Sequence, residues 1–379
     1  MIIIADITGR TRLYDETLFS SIRDNHDAEV SLLMPGHGLL CLIPKRFQAS
    51  SNPIKRIVKI LECIINYFVL GFKLYALKAR VLHIEWLPFL EISGVEYYIL
   101  SIYKHLFSPL RIVLTVHNVF PHDLKESKKS AYINRFRRIG QYIDAMIVHT
   151  ATSKNELRSV FNVDGNRVHI CPHGVFRPFI INESSKKSGL DKFVVLMFGL
   201  HSYYKGTDIL VEAVNWLPDS YKSKVDVHIV GLVEADYFAQ LKEMDSSHMI
   251  KWKNYFLSDK ELGEEITLCD LIVLPYRAIS QSGVLLLSLN CRKMIVCSDL
   301  PSFKETLHGS DDNCSFDHDL FFKSDDSSSL CSLLQNYIDR KVSEQRLLNR
   351  MEELAKDYSW EKSAEKTMEV YRRLVSYNG

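Results

Sequence analysis

The sequence has almost no net charge and no cysteine spacing of the kind that builds a metal or redox centre, and each absence closes off a class of function. Lys and Arg total 47 against 46 Asp and Glu, a formal charge of +1, so no global field draws the chain to nucleic acid. Any basic function is local. The eight cysteines are scattered with no C-x-x-C pair, which removes zinc-ribbon and thioredoxin-like readings. Several lie in apolar runs such as Leu268-Cys269-Asp270-Leu271 and Ile295-Val296-Cys297, where a thiol behaves as a small core residue. They are expected to be reduced, in a cytoplasmic protein. The opening Met1-Ile2-Ile3-Ile4-Ala5 lacks the basic region and cleavage site of a signal peptide and reads as a first buried strand. The longest apolar stretch, Ile57 to Ala79, is broken by Lys59, Glu62, Asn66 and Lys73. It falls short of the roughly 20 predominantly apolar residues of a spanning helix, so an amphipathic or buried helix is expected there.

What is present is a folded composition, 46% hydrophobic and 25% charged over 379 residues, long enough that two domains of similar size are expected. Strand-like runs recur at Ile2 to Ala5, Ala28 to Leu33, Val81 to Trp86, Arg111 to His117, Ala145 to His149 and Val168 to Cys171. Helical patterns lie between them at Tyr14 to Arg23, Ile54 to Ala79 and Ser130 to Ile139, and this alternation predicts a parallel α/β sheet. The Ser/Lys-rich stretch Asn182 to Gly189 has no periodicity and is the best linker. Alternation then restarts at Phe193 to Phe198, Val225 to Val230, Met249 to Trp252, Leu271 to Leu274 and Met294 to Cys297. No short repeat relates the halves, so they are expected to share architecture only. The expected plan is a Rossmann-like domain over 1–180, a second over 190–358, and a final helix over 359–379 reaching back to the first. Two such doubly wound domains facing each other would form a ligand cleft at the carboxyl ends of their strands.

The strongest chemical signal is Val195-Leu196-Met197-Phe198-Gly199-Leu200-His201-Ser202-Tyr203-Tyr204-Lys205-Gly206-Thr207-Asp208. A buried strand runs into a loop, and Lys205-Gly206 opens an amphipathic helix. Backbone N–H groups, a helix N-terminus and an ammonium then face one anion, which suits a diphosphate; a β–α turn with a solvated lysine would have the same pattern. A second signal, Ala278-Ile279-Ser280-Gln281-Ser282-Gly283, follows the strand that ends in Leu274-Pro275-Tyr276-Arg277. Here Ser282 and Gly283 can present amides to a phosphate at the start of another helix, although a plain tight turn uses the same residues.

Taken together, the Gly-x6-Gly helix start, the Leu-Pro-Tyr-Arg loop, the Ser-Gly helix and the later Ser298-Asp299-Leu300-Pro301-Ser302-Phe303-Lys304-Glu305 resemble the donor-binding domain of the GT-B glycosyltransferases. That large family-4-like group includes glycogen synthases, mannosyltransferases of glycolipid assembly and bacterial capsule and O-antigen enzymes. The resemblance covers residues 193–310 well and the N-terminal half loosely. It implies a GT-B fold and a metal-independent hexosyltransferase-like enzyme without a cofactor. A UDP- or GDP-sugar would be the donor, and a glycan or lipid-linked molecule of cell-surface polysaccharide synthesis the acceptor. It assigns donor binding to Gly199, Lys205, Gly206, Tyr276, Arg277, Gln281, Ser282, Gly283 and Glu305. The chain departs from the family where an arginine usually follows the first loop glycine, because Leu200, His201 and Ser202 stand there. It departs again where two glutamates seven apart are usual, because Ser280 and Leu287 occupy those places. The retaining outcome associated with that pair therefore does not carry over by motif.

In the N-terminal half, Leu114-Thr115-Val116-His117-Asn118-Val119-Phe120-Pro121-His122-Asp123 places polar groups directly after a buried strand. The segment looks like the family's Thr-x-His, whose histidine faces the donor sugar. A neutral imidazole suits hydroxyl binding or proton transfer, so His117 is the leading catalytic candidate, with Asp123 and Glu85 the nearest carboxylates and Asn118, His122 and His173 at the cleft. A structural histidine at a strand end is the competing reading. Six basic residues between Lys125 and Arg138, interleaved with Tyr132, Ile133 and Phe136, read either as a solvated helix face or as attraction to anionic lipid at the inner leaflet. Two rival functions use the same architecture: a noncatalytic glycan- or partner-binding protein, and a nucleotide-sugar epimerase.

Overall fold

A computed structural model describes residues 1–42, 53–121, 124–176, 192–309 and 316–376. Two parallel sheets organise the chain. The first has seven strands in the order β3-β2-β1-β4-β5-β6-β7, namely Gly38–Leu39, Val30–Pro35, Ile2–Asp6, Val81–Trp86, Arg111–Thr115, Ala145–Val148 and Val168–Ile170. The second has six in the order β10-β9-β8-β11-β12-β13: Ile250–Lys253, Val225–Val230, Phe193–Phe198, Leu271–Leu274, Met294–Ser298 and Phe321–Phe322. Strands such as β5, β6, β11 and β12 are buried along nearly their whole length. Runs of Ile, Val and Leu without polar alternation are what a sheet covered by helices on both faces requires.

In both sheets the strand order reverses beside the first strand, between β1 and β4 and between β8 and β11. Two adjacent strand-end loops diverge at such a switch point and leave a crevice. The loops at issue are therefore those after β1 and β4 in one sheet, and those after β8 and β11 in the other.

The chain divides into two compact units, Met1–His173 with Trp360–Gly379, and Gly174–Ser359. The division falls at His173/Gly174 rather than in the Asn182–Gly189 stretch, which lies outside the described residues. In the first unit, the helix Trp360–Ser376 packs on the helix Arg12–Asn25 and on β6, with the Trp360 and Tyr14 rings 5.2 Å apart. Sequence patterning missed the helix Glu96–Leu106 and the two-residue strands β3 and β13. The helix places Glu96, Leu100 and Tyr103 on its buried face while Tyr98, Ile102 and Leu106 are exposed, so no polar stripe marks it. Of the seven described cysteines, Cys41 is exposed and the other six are buried, and no two of them form a disulfide.

Local chemistry explains several boundaries. Ser258 and Glu261 form a capping box at the helix Asp259–Leu268, and Thr150 caps the helix Ala151–Phe161, each satisfying N–H groups that the first turn cannot pair internally. In the second unit, backbone approaches backbone where β8 and β9 end. Gly231 has φ +122°, and a Cβ built there would lie 1.9 Å from the Gly199 carbonyl oxygen. Gly231→Ala should therefore destabilise the second unit by more than about 3 kcal/mol, since a clash with backbone cannot relax through a rotamer change. Denaturant unfolding of wild type and variant checks this; equal midpoints would mean that the β8 and β9 ends are more loosely set.

Candidate functional site

The first unit gathers two histidines and a buried glutamate at the carboxyl ends of β4, β5 and β6, with His83 and His173 beside them. Glu85 lies in β4 and is fully buried; His117 follows β5 and His149 follows β6. Parallel pairing brings the three strand ends side by side. His149 Nδ1 is 2.9 Å from the Cys171 carbonyl oxygen, and its Nε2 is 3.3 Å from His117 Nδ1. His117 Nε2 is 3.2 Å from Glu85 Oε2. Burial lowers the His149 pKa to about 3 and the His117 pKa to about 4, so both rings are neutral at pH 7.

These partners assign the protons. A carbonyl oxygen only accepts, so His149 carries its hydrogen on Nδ1 and offers a lone pair at Nε2. His117 must then donate from Nδ1, which leaves a lone pair on Nε2 facing Glu85. Desolvation raises the Glu85 pKa, and its protonated carboxyl group can donate to that lone pair. Glu85 Oε1 lies 3.4 Å from His83 Nδ1 and makes no hydrogen bond among the described residues, so burial outweighs what favours its carboxylate form. The geometry thus allows one proton to be shared between Glu85 and His117, with their neighbours holding the rings in place.

Rings pack around this relay. Tyr14 meets His117 edge-on at 4.8 Å between centroids, and His173 lies 5.3 Å from His149 and 5.3 Å from Trp360. His83 is engaged on both nitrogens, by Tyr371 Oη at 2.6 Å and Thr115 Oγ1 at 2.7 Å. A cavity of about 50 Å³ opens here, lined by Glu85, Trp86, His117, Asn118, Pro121 and Tyr132 among others. His122 and Asp123 lie outside the described residues. Across the switch point, Asp6 accepts from Thr8 and Thr11 N–H at 2.9 and 3.0 Å, shaping the turn that sets the Arg10 guanidinium 4.2 Å over the Trp86 ring. The sequence reading missed this loop; its signal was the Asp-x-Thr-Gly of Asp6 to Gly9 directly after a buried strand.

The second unit presents a buried cation. Lys205 ends a short 3₁₀ turn, Tyr203–Lys205, directly before the helix Thr207–Asn215. Its ammonium is 3.1 Å from Tyr276 Oη, the residue is only 9% exposed, and no carboxylate pairs with it among the described residues. Desolvation lowers its pKa, the mark of a positive charge held away from both water and counter-ion. A Cβ built on Gly199 would lie 3.6 Å from Lys205 Nζ and 3.5 Å from a Val284 methyl group. The β8 loop, the lysine and the first turn of the helix Gly283–Asn290 therefore converge. Ser282 caps that helix, accepting from Leu285 N–H at 3.1 Å. Gly283 faces open space, and Gln281 Nε2 is buried with no hydrogen-bond partner among the described residues.

Other residues expected at this site prove to build it. Arg277 grips Asp208 with two bonds of 2.8 and 2.7 Å, Asp325 at 2.8 Å and the Tyr203 carbonyl at 2.9 Å. Its charge is neutralised by these carboxylates, so Arg277 clamps the loop rather than offering a free guanidinium to a ligand. Tyr276 is buried and reaches the site only through its hydroxyl group. Glu305 is half-buried one turn into the helix Pro301–His308, which Ser302 ties to the Ile279 carbonyl at 2.8 Å. His201, standing where the family has arginine nearby, is turned inward: Nδ1 accepts from Thr207 Oγ1 at 3.0 Å and Nε2 donates to the Val230 carbonyl at 3.0 Å.

The chain resembles known proteins in sequence and in fold. The family model described as Glycosyl transferases group 1 matches residues 192–339, and the one described as Glycosyltransferase Family 4 matches residues 76–176. A GDP-mannose:glycolipid 4-beta-D-mannosyltransferase of Xanthomonas campestris pv. campestris is 26% identical over 189 residues, 49% of each chain. The match spans about half the length of that relative. Sucrose-phosphate synthase from Thermosynechococcus elongatus superposes with a TM-score of 0.73 at 14% identity, over 99% of both chains. Anabaena HepE, solved in complex with UDP and glucose, gives 0.67 at 13% identity over 98% of this chain and 99% of its own. These superpositions establish the GT-B fold of two Rossmann-like domains.

The inward-facing His201 makes a pH prediction. Burial lowers its pKa from 6.5 to about 4. Between those values the unfolded chain binds more protons, so the ring's contribution is complete above pH 6.5 and is lost as pH falls toward 4. At about 1.4 kcal/mol per pH unit, lowering the pH from 6.5 to 5 should remove about 2 kcal/mol. His201→Gln keeps a donor for the Val230 carbonyl, and its unfolding free energy should fall less over that interval than wild type's by about this amount. A pH profile left unaltered by the substitution would show that the ring titrates normally.

Proposed function

We propose that this chain, which belongs to the GT-B glycosyltransferases, transfers a sugar from a nucleoside diphosphate donor to a glycan or lipid-linked acceptor. The observation that carries this reading is the buried Lys205 ammonium, which has no carboxylate partner among the described residues. A charge kept dry and unpaired is unfavourable by itself and is relieved by an anion. Close to it lie Gly199, the start of the Thr207–Asn215 helix and the first turn of the capped Gly283–Asn290 helix. Such a setting suits a diphosphate, with helix N-termini and N–H groups supplying the remaining positive potential. In the proposed reaction the same groups stabilise the negative charge that grows on the leaving diphosphate. The UDP held by HepE and the GDP-mannose in the mannosyltransferase's name support a nucleotide-sugar donor.

His117 is the proposed group on the sugar side. Its side chain is 12% exposed whereas Glu85 is completely buried, so a substrate can reach the imidazole and only through it the carboxyl group. Glu85 then acts as the proton reservoir for His117, and His149 keeps the ring in a single tautomer.

Lys205→Met tests the donor assignment. It should weaken UDP or GDP binding by about tenfold to a hundredfold, the worth of a charge-assisted contact, while leaving the ligand-free protein as stable as wild type or more so. Undiminished nucleotide affinity in this variant would overturn the assignment.

Glu85→Gln tests the relay. An amide still donates to His117 Nε2 but holds no exchangeable acid proton, so turnover should fall about 10²-fold or more with nucleotide affinity and thermal midpoint unchanged. Wild-type turnover would show that Glu85 only positions the ring. His117→Ala should lose turnover likewise, and loss of nucleotide binding in that variant would remove His117 from the sugar side.

A further inference from the structure

Tyr371 reaches the ends of β4 and β5 from the last helix of the first unit. The helix Trp360–Ser376 packs on β6 and on the helix Arg12–Asn25, burying Thr367, Met368, Val370 and Tyr371. His83 and Glu85 stand two residues apart in β4 and therefore on one face of the sheet, with Thr115 beside them at the end of β5. Tyr371, His83, Thr115 and Glu85 are all buried. Tyr371 Oη is 2.6 Å from His83 Nδ1, and Thr115 Oγ1 is 2.7 Å from His83 Nε2.

The hydrogens along these contacts have one consistent order. Burial lowers the His83 pKa, so the ring is neutral, with one N–H and one lone pair. Tyr371 has no other hydrogen-bond partner among the described residues, and a buried hydroxyl hydrogen without an acceptor is unfavourable. Tyr371 therefore donates to Nδ1. The His83 hydrogen then stands on Nε2 and goes to Thr115 Oγ1, which leaves the Thr115 hydroxyl hydrogen for Glu85, whose carboxylate form that contact favours.

Two imidazoles lie within reach of the Glu85 carboxyl group. Its Oε2 is 3.2 Å from His117 Nε2, and its Oε1 is 3.4 Å from His83 Nδ1. Either nitrogen could accept a carboxyl hydrogen, but the Tyr371 hydroxyl already occupies the His83 lone pair. Of the two, His117 is the one left open to the Glu85 proton.

We infer that Tyr371 is a positioning residue for the proposed transfer: by occupying His83 Nδ1, its hydroxyl group directs the Glu85 proton to His117. At 1% exposure it is out of a substrate's reach and acts only through His83. It has this role where Glu85 and His117 form the proton-sharing pair proposed above. Tyr371→Phe keeps the ring and removes the hydroxyl group, which turns a free His83 lone pair toward Glu85 Oε1 as a second destination for the proton.

Nitrogen NMR of isotope-labelled histidine rings reads the hydrogen order without any substrate. In wild type His83 should carry its hydrogen on Nε2, and His117 should carry its own on Nδ1. In Tyr371→Phe the His83 Nδ1 resonance should move from the unprotonated toward the protonated position. Turnover should fall about tenfold, part of what acid–base catalysis supplies, with affinity for UDP or GDP unchanged. In a Glu85→Gln background the same substitution should cost no further turnover, because no carboxyl proton remains to be diverted. A wild-type His83 hydrogen on Nδ1 would overturn the inference, and that measurement needs no variant. An unmoved resonance or undiminished turnover in Tyr371→Phe would overturn it too, as would an equal loss in both backgrounds, the mark of a tyrosine that only packs. Resonances that behave as expected in a chain that transfers no sugar would support the hydrogen order set by Tyr371 while striking the transfer reading.

Discussion

Gly206 lies against the Pro275 carbonyl so closely that a Cβ would be 1.8 Å from the oxygen, and its φ of +67° belongs to the left-handed region. Much of the second unit's site depends on that contact. It brings the β8 loop down on the loop after β11, the two loops that diverge at the switch point. Lys205, one residue earlier, is thereby carried under Tyr276, where it cannot reach water freely. Arg277 holds the same closure from the other side through Asp208 and the Tyr203 carbonyl. A cation of this kind is stabilised by geometry it did not create, and removing the glycine would release the lysine to solvent.

The first unit solves a different problem with the same architecture. At the ends of β4, β5 and β6 its ionisable groups are shifted toward their neutral forms. His117 and His149 are held neutral by desolvation, and Glu85 is pushed toward its protonated form. The Cys171 carbonyl, which can only accept, fixes the hydrogen on His149 and through it the role of His117 Nδ1. Two histidines in contact would repel if both were charged, so neutrality and the hydrogen-bond order support each other. The freedom that remains is the position of a single proton between His117 and Glu85, which is the freedom a proton-transfer site needs.

Much of the architecture was legible because a two-sided parallel sheet writes itself as runs of Ile, Val and Leu separated by helical periods. The glycines of the phosphate-type loop were legible for the same reason: a helix cannot start that close to a strand end without them. What escaped was pairing across distance. Nothing local in Tyr276-Arg277 says that the tyrosine turns in toward Lys205 while the arginine turns out toward Asp208 and Asp325. His201 could be read as a replaced contact residue until Thr207 and the Val230 carbonyl were seen to take both of its nitrogens. Likewise Glu62 and Asn66 look like interruptions of an apolar helix, yet they face the protein, because the edge backbone at Leu40 and Leu42 needs partners. Polarity in a sequence reports that a group must be satisfied, not on which side.

The two sites therefore differ in electrostatic character in a way the net charge of +1 conceals. The second unit maintains positive potential in a dry place, a state that costs free energy until an anion arrives. The first unit suppresses charge at comparable depth, so a neutral, hydroxyl-rich molecule meets groups that can exchange hydrogen bonds without first being neutralised. Sugar transfer from a nucleoside diphosphate requires both properties: a leaving group that becomes more anionic as the bond breaks, and an acceptor hydroxyl that must lose a proton. In the proposed transfer, Lys205, which has no carboxylate partner among the described residues, would serve the first half, and Glu85, whose ionisation burial disfavours, the second.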